Sequence, residues 1–309
     1  MEKIPLIVNP LSKRNRTRLD ETLGRFNRIG RGLIELKTPR RLEEIGGIAR
    51  ECRSMRAEYL IVSGGDGSIH QTVTAFIKEY QPEPPPPILI LKDGTINNIS
   101  ASLRIRGSGR EVLRRFVSML ENRERPRILE RDTMRIGGRY CFLFGTGVTT
   151  NLLDAIYEGS SKDIPKVLLV AARAFWEGLF LPERSRIFKR FSARVVLDGE
   201  ELGCRDFMGI LAGTVGHVGI GFRLLERKGV PDGRFRAIAT GIRPALAARR
   251  ILPLRRGGTI DHPLHFDRLA SRMEIAADEG FEYTMDGDMY RADRTLTVET
   301  GPRMRFISI

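Results

Sequence analysis

The chain has 309 residues, of which 41% are hydrophobic and 29% charged, a composition typical of globular rather than disordered proteins. This length fits one large domain or two ordinary ones. The formal net charge of +14 favours anionic partners such as nucleic acid, nucleotide phosphates or acidic lipid headgroups, and solubility alone also explains it. The three cysteines, Cys52, Cys141 and Cys204, are widely spaced. They indicate neither a disulfide framework nor a zinc site, which favours a reducing, cytoplasmic location.

The first apolar run, at residues 4–8, is too short for a signal peptide and predicts a strand. No run approaches the roughly 18 apolar residues that a membrane span needs. We therefore expect a cytoplasmic protein that would meet a membrane only peripherally, at the inner face. Residues 243–256 suit such contact, because five arginines alternate there with leucine and isoleucine and no acid is present. The pattern fits an anionic membrane surface and also fits an ordinary surface helix.

Residues 1–128 alternate between short apolar runs and helical spacing. The runs predict strands at 4–8, 33–36, 60–62 and 88–91. Apolar residues three or four positions apart predict helices around 19–26, 42–52 and 69–80, and the prolines at 84–87 mark a loop. This alternation predicts an α/β domain with a parallel sheet.

The pattern changes after residue 128. Gly137-Gly138 and Asp198-Gly199 each separate two strand-like runs, which predicts hairpins. Further strands are predicted at 207–212, 234–239, 272–277 and 294–298, and helices near 163–176 and 243–252. We therefore predict a second, mainly antiparallel β domain at 129–309, whose last strands return toward the first domain. Trp176, Phe175 and Phe180 fit either a lipid cleft or an ordinary core.

The segment from Ser63 to Ser68, Ser-Gly-Gly-Asp-Gly-Ser, follows a buried-type strand and precedes a predicted helix. Glycines let a backbone approach a phosphate closely, and the N–H groups at a helix start attract anions. Ser68 could add a hydroxyl donor or cap the helix. Asp66 could hold the loop, orient a hydroxyl or act through a magnesium ion. The spacing matches neither a Walker loop nor a dinucleotide-binding turn.

The segment resembles the phosphate-binding motif of the diacylglycerol kinase catalytic family, which includes sphingosine kinases and bacterial lipid kinases. NAD kinases and phosphofructokinases carry a more distant version. Other resemblances follow in the family's order: Asn9-Pro10-Leu11-Ser12, Gly94-Thr95-Ile96-Asn97-Asn98, the glycines from Gly216 to Gly221, Val230-Pro231-Asp232-Gly233 and Asp286-Gly287-Asp288. Together they span nearly the whole chain.

The resemblance implies an active site between the two domains, with ATP as the phosphate donor, Mg²⁺ as the cofactor and a lipid alcohol as the acceptor. It implies catalytic roles for Asp288, Asp286 and Asp66, and a metal site formed by Asp232 with carbonyl groups of Gly229 and Arg234. The implied nucleotide contacts are Asn9, Pro10, Ser12, Thr38, Gly64, Gly65, Asp66, Gly67, Ser68, Ile69, His70, Thr95 and Asn97.

The sequence also departs from the family's pattern. Lys13 replaces a glycine, His70-Gln71 replaces Asn-Glu, Asn98 replaces an aspartate, and Asp288 replaces a glutamate. The changes at Gln71 and Asn98 remove two acids, which also fits a non-catalytic lipid- or nucleotide-binding regulator of the same fold. NAD kinase is the other alternative. No nucleic-acid recognition motif is present, and the lipid and the oligomeric state stay open.

Several of these residues have plainer explanations. Asp286-Gly287 could form a hairpin turn that leaves its acids in solvent. Asp232-Gly233 could be another turn. Thr95 and Asn97 could cap the helix that follows the fourth strand.

Overall fold

The computed structural model describes residues 3–10, 12, 15–94, 96–158, 164–226 and 231–309, with residues 15–17 described by their backbone. The chain divides into two compact units. Unit 1 comprises Met1–Arg131 and Pro302–Ile309, and unit 2 comprises Asp132–Gly301. Within the described ranges, no helix has both the length and the hydropathy that crossing a bilayer requires.

Unit 1 alternates strands and helices, as the sequence predicts. Its elements are β1 (Ile4–Val8), α1 (Asn15–Gly30), β2 (Ile34–Lys37), α2 (Leu42–Ser54), β3 (Leu60–Gly64), α3 (Asp66–Tyr80), β4 (Ile88–Lys92), α4 (Asn98–Ser102) and α5 (Gly109–Glu121). The strands pair in parallel in the order β4-β3-β1-β2. Leu60, Ile61 and Leu89 on these strands are fully buried, as are Phe76 and Phe116 on the helices.

Unit 2 is mainly antiparallel. Its elements are β5 (Arg127–Ile136, which begins in unit 1), β6 (Arg139–Cys141), β7 (Leu143–Gly147), α6 (Val148–Tyr157), α7 (Ile164–Phe180), a 3₁₀ turn (Pro182–Arg184), β8 (Phe191–Leu197), β9 (Glu200–Glu201), β10 (Asp206–Phe207), β11 (Gly209–Gly213), β12 (Phe235–Thr240), α8 (Pro244–Arg249), α9 (Ile251–Arg255), β13 (His265–Ala270), β14 (Arg272–Ala277), β15 (Phe281–Met285), β16 (Asp288–Ala292) and β17 (Thr295–Ser308).

Two groups of strands in unit 2 share one core. One group runs β10-β8-β14-β17, and the other runs β13-β12-β11-β7-β15-β16. Val195 and Ile275 of the first group are buried in one cluster with Phe144, Ile210 and Phe235 of the second. The predicted fold class is confirmed: a parallel α/β unit and a mainly antiparallel β unit.

Strand β17 belongs to both units, because its residues up to Gly301 lie in unit 2 and those from Pro302 onward lie in unit 1. In unit 2, residues 295–299 pair with β14. In unit 1, Phe306 pairs in parallel with Ile88 of β4, and the Arg305 guanidinium donates to the Pro85 carbonyl at 2.7 Å.

The hairpins predicted at the diglycine site and at the Asp-Gly site are both confirmed. Gly137-Gly138 joins β5 to β6, and Asp198-Gly199 joins β8 to β9. Both residues of each pair have positive φ, from 47° to 88°, as a two-residue type I′ turn requires. The strand predicted at 207–212 is wrong in one respect. It breaks at Met208, because β10 pairs with β8 and β11 pairs with β7 in the other sheet.

Three helices differ from their predicted extents. Helix α3 begins at Asp66 rather than at 69, which places the Asp-Gly-Ser segment in its first turn. Helix α7 extends to Phe180. The single helix predicted at 243–252 is two short helices, α8 and α9, separated at Arg250.

Candidate nucleotide site and acidic hairpin

The glycine-rich segment lies where the order of the parallel sheet reverses direction. Strand β1 has β2 on one side and β3 on the other, and the chain leaves both β1 and β3 at their carboxyl ends beside this point. Open α/β sheets bind ligands in the crevice at such a switch point. The Asn9 amide nitrogen donates to Ser68 Oγ at 2.9 Å, and Asn9 N donates to the Ser63 carbonyl at 3.3 Å. These bonds join the ends of β1 and β3 into one surface.

Helix α3 presents its N-terminus at this surface. Gly65 is the residue before the helix, and it offers no side-chain cap. Ser68 therefore does not cap the helix, since it lies in the first turn and its hydroxyl accepts the bond from Asn9. The Ile69 amide is the first to find an intrahelical carbonyl, that of Gly65 at 3.1 Å. The N–H groups of residues 66–68 are those that a helix start leaves for an anion.

Two glycine loops touch each other at the carboxyl ends of β3 and β4. A Cβ on Gly94 would lie 2.5 Å from the Gly65 Cα, and a Cβ on Gly64 would lie 2.5 Å from the Ser68 Cβ. Real Cβ atoms do not approach other atoms this closely, so both positions require glycine. The Asp93 amide also donates to the Gly64 carbonyl at 3.2 Å. The second loop thus supports the backbone of the first.

Asp66 is buried and bonded to backbone. Its two carboxylate oxygens accept the amide N–H groups of Asn98, at 2.8 Å, and Ile99, at 3.2 Å, and its side chain is 6% exposed. Asp66 therefore caps helix α4 from a distant part of the chain. Burial raises the pKa of Asp66 to about 7, while the hydrogen bonds from Asn98 and Ile99 act to lower it. Of the three roles that the sequence left open for Asp66, this arrangement favours the one in which its side chain holds the loop.

Asn97 and Asn98 have different parts in the same loop. Asn97 stands at the cap position of α4 but makes no capping bond. Its side chain instead exchanges two hydrogen bonds with the backbone of Gly94, at 2.8 and 3.3 Å. Asn98 supplies a side-chain hydrogen bond to Asp66 as well as its amide. Thr95, predicted to contact the nucleotide, lies outside the described residues.

The remaining predicted nucleotide residues fall into two groups. Thr38 is exposed just after β2, and Ser12 is half-buried, with a hydroxyl that has no hydrogen-bond partner in the structure. Pro10, Ile69 and His70 are buried. The side chains of Ile69 and His70 thus pack inside unit 1, and α3 can offer a ligand only its first turn.

The acids near the end of the chain lie on a hairpin. Asp286-Gly287 joins β15 to β16, with φ values of 50° and 93° that define a type I′ turn. The Asp286 side chain is not in solvent, because it is 4% exposed. Its carboxylate accepts the amide N–H groups of Phe142, at 3.1 Å, and Leu143, at 2.8 Å. The Asp286 carboxylate therefore links the hairpin to the start of β7 and stabilises the fold.

Asp288 differs from Asp286. It is half-buried at the start of β16, beside Tyr157 of α6. The Tyr157 hydroxyl donates to the Gly287 carbonyl at 2.9 Å. Burial raises the pKa of Tyr157, and the nearby Asp288 carboxylate raises it further. Of the two acids in the Asp286-Gly287-Asp288 segment, Asp288 is thus the one that keeps access to solvent.

Two of the predicted metal residues, Asp232 and Arg234, lie on the turn before β12. Asp232 is exposed, and Gly229 lies outside the described residues. The Arg234 guanidinium lies 3.6 Å from the Asp198 carboxylate, and the Gly233 amide donates to Asp132 at 2.8 Å. No cluster of three or more acids, histidines or cysteines exists in the described part of the chain. The donors fit Mg²⁺ in type, since it prefers oxygen ligands and takes few from protein.

A cavity of about 470 Å³ in unit 1 lies away from these residues. It is lined by residues that precede β3 and β4, at the opposite end of the sheet from the glycine loops. Two of its four lining arginines have structural partners: Arg53 donates to the Glu79 carbonyl near the end of α3, and Arg305 donates to the Pro85 carbonyl. The cavity therefore adds nothing to the candidate site.

The comparisons with known proteins bear on this arrangement. Residues 3–126 match the family described as the diacylglycerol kinase catalytic domain. The match includes β1, both glycine loops and the capped helix α4, and it ends before unit 2. No curated protein sequence matches the chain significantly.

Solved structures extend the likeness to the whole chain as a fold. One, named as an inferred diacylglycerol kinase from Bacillus anthracis str. Sterne, has a TM-score of 0.72 at 15% identity and covers 100% of this chain and 97% of its own. A second with the same description gives 0.70 at 16% identity over the same shares. A third, named as a diacylglycerol kinase from that strain, gives 0.65 at 15% identity, again over 100% and 97%.

Within the matched segment, the structure locates two of the departures from the family's pattern. His70 is fully buried in α3, so it is a packed histidine. Asn98 places an amide against Asp66 where a second carboxylate would repel it.

Sequence reasoning missed Tyr157, Asp132 and the capping role of Asp66. Tyr157 and Asp132 belong to no motif, and their partners lie more than 100 positions away. No local signal marks them. Helix α5 did carry a signal, since Ser108 and Glu111 form a capping box before the buried Val112 and Leu113.

Proposed function

We propose that the protein is a lipid kinase that transfers the γ-phosphate of ATP to a hydroxyl of a lipid such as diacylglycerol or a sphingoid base. The observation that carries the proposal is the glycine loop of the diacylglycerol kinase catalytic domain, placed at the sheet's switch point with a free helix N-terminus. Phosphoryl transfer depends mainly on positioning and on charge neutralisation, which such a loop supplies.

Each part of unit 1 has a role in this proposal. The N–H groups of residues 66–68 bind the ATP phosphates, and Gly64, Gly65 and Gly94 let the backbone come close enough. Asn9, Ser12 and Thr38, which follow β1 and β2, contact the nucleotide together with Pro10, Thr95 and Asn97. Asp66 acts as a positioning residue, because its bonds to α4 fix the two glycine loops together.

In unit 2, Asp288 accepts the proton of the lipid hydroxyl as that oxygen attacks the γ-phosphorus. The bond from the γ-phosphorus to the oxygen that bridges it to the β-phosphate breaks, and ADP leaves. Asp286 holds the hairpin that carries Asp288. Asp232 would hold Mg²⁺ with the carbonyl groups of Gly229 and Arg234. A bound Mg²⁺ would neutralise charge near the phosphates or stabilise this turn.

The test is phosphoryl transfer from labelled ATP in mixed micelles, with diacylglycerol, ceramide, a sphingoid base and monoacylglycerol as separate acceptors and NAD as a soluble control. Labelled product with one lipid supports the proposal. Labelled NADP instead of lipid product would establish NAD kinase activity and overturn it.

A non-catalytic regulator of the same fold is the second candidate, and Asp66 favours it. The Asp66 carboxylate is already engaged by Asn98 and Ile99, and Asn98 adds an amide where the family has an acid. Tight ATP binding with no labelled product from any acceptor would support this candidate against the kinase.

A further inference from the structure

Helix α7 exposes an unusual amount of apolar surface. Ile164, Leu168, Leu169, Trp176 and Phe180 are each between 54% and 69% exposed. Phe175 and Leu181 are exposed to 42% and 45%. Single exposed apolar residues are normal on a protein surface, but a contiguous group marks a contact with another apolar body.

The exposed residues lie on the side of the helix opposite its core contacts. At about 100° per residue, Val167, Val170, Ala174 and Gly178 define the buried side. The exposed residues occupy the other half, and the Trp176 and Phe180 rings lie 4.4 Å apart. Both sides of α7 are therefore apolar, and such a helix is normally covered on both.

The cations nearby identify what covers it. Helix α7 packs against α8 in unit 2, where Pro244 lies beside Gly178. Helices α8 and α9, together with the residues that cap them, carry five exposed arginines and no acid, and the exposed Leu252 lies among them. The arginines are Arg243, Arg249, Arg250, Arg255 and Arg256. Lys166 and Arg173 border the apolar side on α7 itself, where the Arg173 guanidinium pairs with Glu177 at 2.5 Å.

We infer that the outer side of α7, together with α8 and α9, is a docking surface for an anionic lipid bilayer. The apolar side chains enter the boundary between headgroups and acyl chains, and the arginines contact lipid phosphates and carboxylates. A two-fold dimer through this face would place the arginines of both copies in one interface, and repulsion between like charges opposes such an arrangement. An anionic bilayer satisfies both the apolar and the basic part.

The chain provides its own probe, because Trp176 is its only tryptophan and is 60% exposed. Full-length protein is mixed with phosphatidylcholine vesicles, with or without phosphatidylserine, which has no free hydroxyl to phosphorylate. No ATP is present, so the readout is independent of the proposed kinase activity. With phosphatidylserine we expect a blue shift of Trp176 emission and quenching by lipids brominated in the acyl chain. Added salt should weaken binding.

Two variants and one matched control test the surface. Leu169→Glu combined with Phe180→Glu keeps Trp176 and should weaken vesicle binding at least tenfold. Arg249→Gln with Arg250→Gln should reduce the preference for phosphatidylserine. Leu42→Glu, at a residue 58% exposed on α2 in unit 1, should change neither. If the double glutamate variant loses its far-UV circular dichroism, Leu169→Ser with Phe180→Ser replaces it.

Three results would overturn the inference. The first is an unchanged Trp176 spectrum with every vesicle. The second is equal binding by the wild type and a folded α7 variant. The third is a lipid-free dimer by light scattering in which Trp176 is already shielded from iodide, which would assign this face to a second copy.

Discussion

Asp66 and Asp286 precede glycines in the two units, and both carboxylates bond to backbone far away in the sequence. Asp66 caps a helix that begins 32 residues later, and Asp286 binds two amides about 143 residues earlier. The two differ in their neighbours. Asp66 lies in the glycine loop itself, whereas Asp286 supports the hairpin that carries Asp288 two positions on. An acid in a motif can therefore either take part in the reaction or hold in place the residues that do.

Asp288 should give the largest effect, because it is the acid of the Asp286-Gly287-Asp288 segment that remains accessible. We expect Asp288→Asn to lower kcat by roughly 10²- to 10⁴-fold, the usual contribution of a general base. Its Tm should match the wild type. Asp288→Glu, which keeps the carboxylate, should retain activity. The measurement is phosphoryl transfer to the best lipid of the acceptor panel.

Asp293→Asn is the matched control, since Asp293 is exposed just after β16 on the same hairpin. Its activity should equal that of the wild type. Full activity in Asp288→Asn would remove Asp288 from the proposed mechanism.

Asp286→Ala should instead destabilise the protein. The change leaves the buried amides of Phe142 and Leu143 without their acceptor, which should cost about 3 kcal/mol of unfolding free energy. Asp198→Ala is the control, because Asp198 occupies the same type I′ turn position with a side chain 32% exposed. It should cost about 1 kcal/mol. Urea unfolding measures both, and equal losses would contradict the buried role of Asp286.

Asp66 should make stability depend on pH. Its pKa is raised from 3.8 to about 7 in the folded protein, so the folded state favours the protonated form. The contribution of Asp66 to the free energy of unfolding is therefore fully present below about pH 4 and is lost as the pH rises through 7. The expected loss is on the order of a few kcal/mol.

Urea unfolding of the wild type and Asp66→Asn between pH 5 and pH 8 measures this. The wild type should lose more stability over that range than the variant, which has no proton to release. Parallel pH profiles would show that Asp66 ionises normally.

Gly94→Ala should give the smallest effect. It tests whether the contact between the two glycine loops requires glycine, as distinct from the general effect of replacing a glycine. The new Cβ would meet the Gly65 Cα, so we expect a loss of about 1–3 kcal/mol and weaker ATP binding. Gly24→Ala is the control, since nothing lies within 4 Å of its Cβ position in helix α1. It should stabilise by about 0.5–1 kcal/mol. Calorimetry and ATP titration measure the two, and equal effects would reject the loop contact.

The sequence predicted those parts of the site that consist of consecutive residues. The strand, glycines and helix around Gly65 are local, so their order predicts their geometry. The bonds from Asp66 to Ile99 and from Asp286 to Leu143 are not local, and an acid that caps a distant amide has the same sequence as an acid in solvent.

The apolar surface of α7 shows a second limit. Hydrophobic spacing predicted a helix near 163–176, but both sides of that helix are apolar. Spacing alone could therefore not say which side meets the core, and only the packing of Val170 and Ala174 identifies the outer side.

The path of β17 has a consequence for synthesis on the ribosome. Unit 1 needs residues 302–309 beside β4, and these residues are translated only after the whole of unit 2. Unit 1 therefore cannot complete its sheet while it leaves the ribosome. The edge of β4 stays unpaired until residues 302–309 have been translated. A fragment that stops at Arg131 would keep this edge open, and open strand edges favour aggregation.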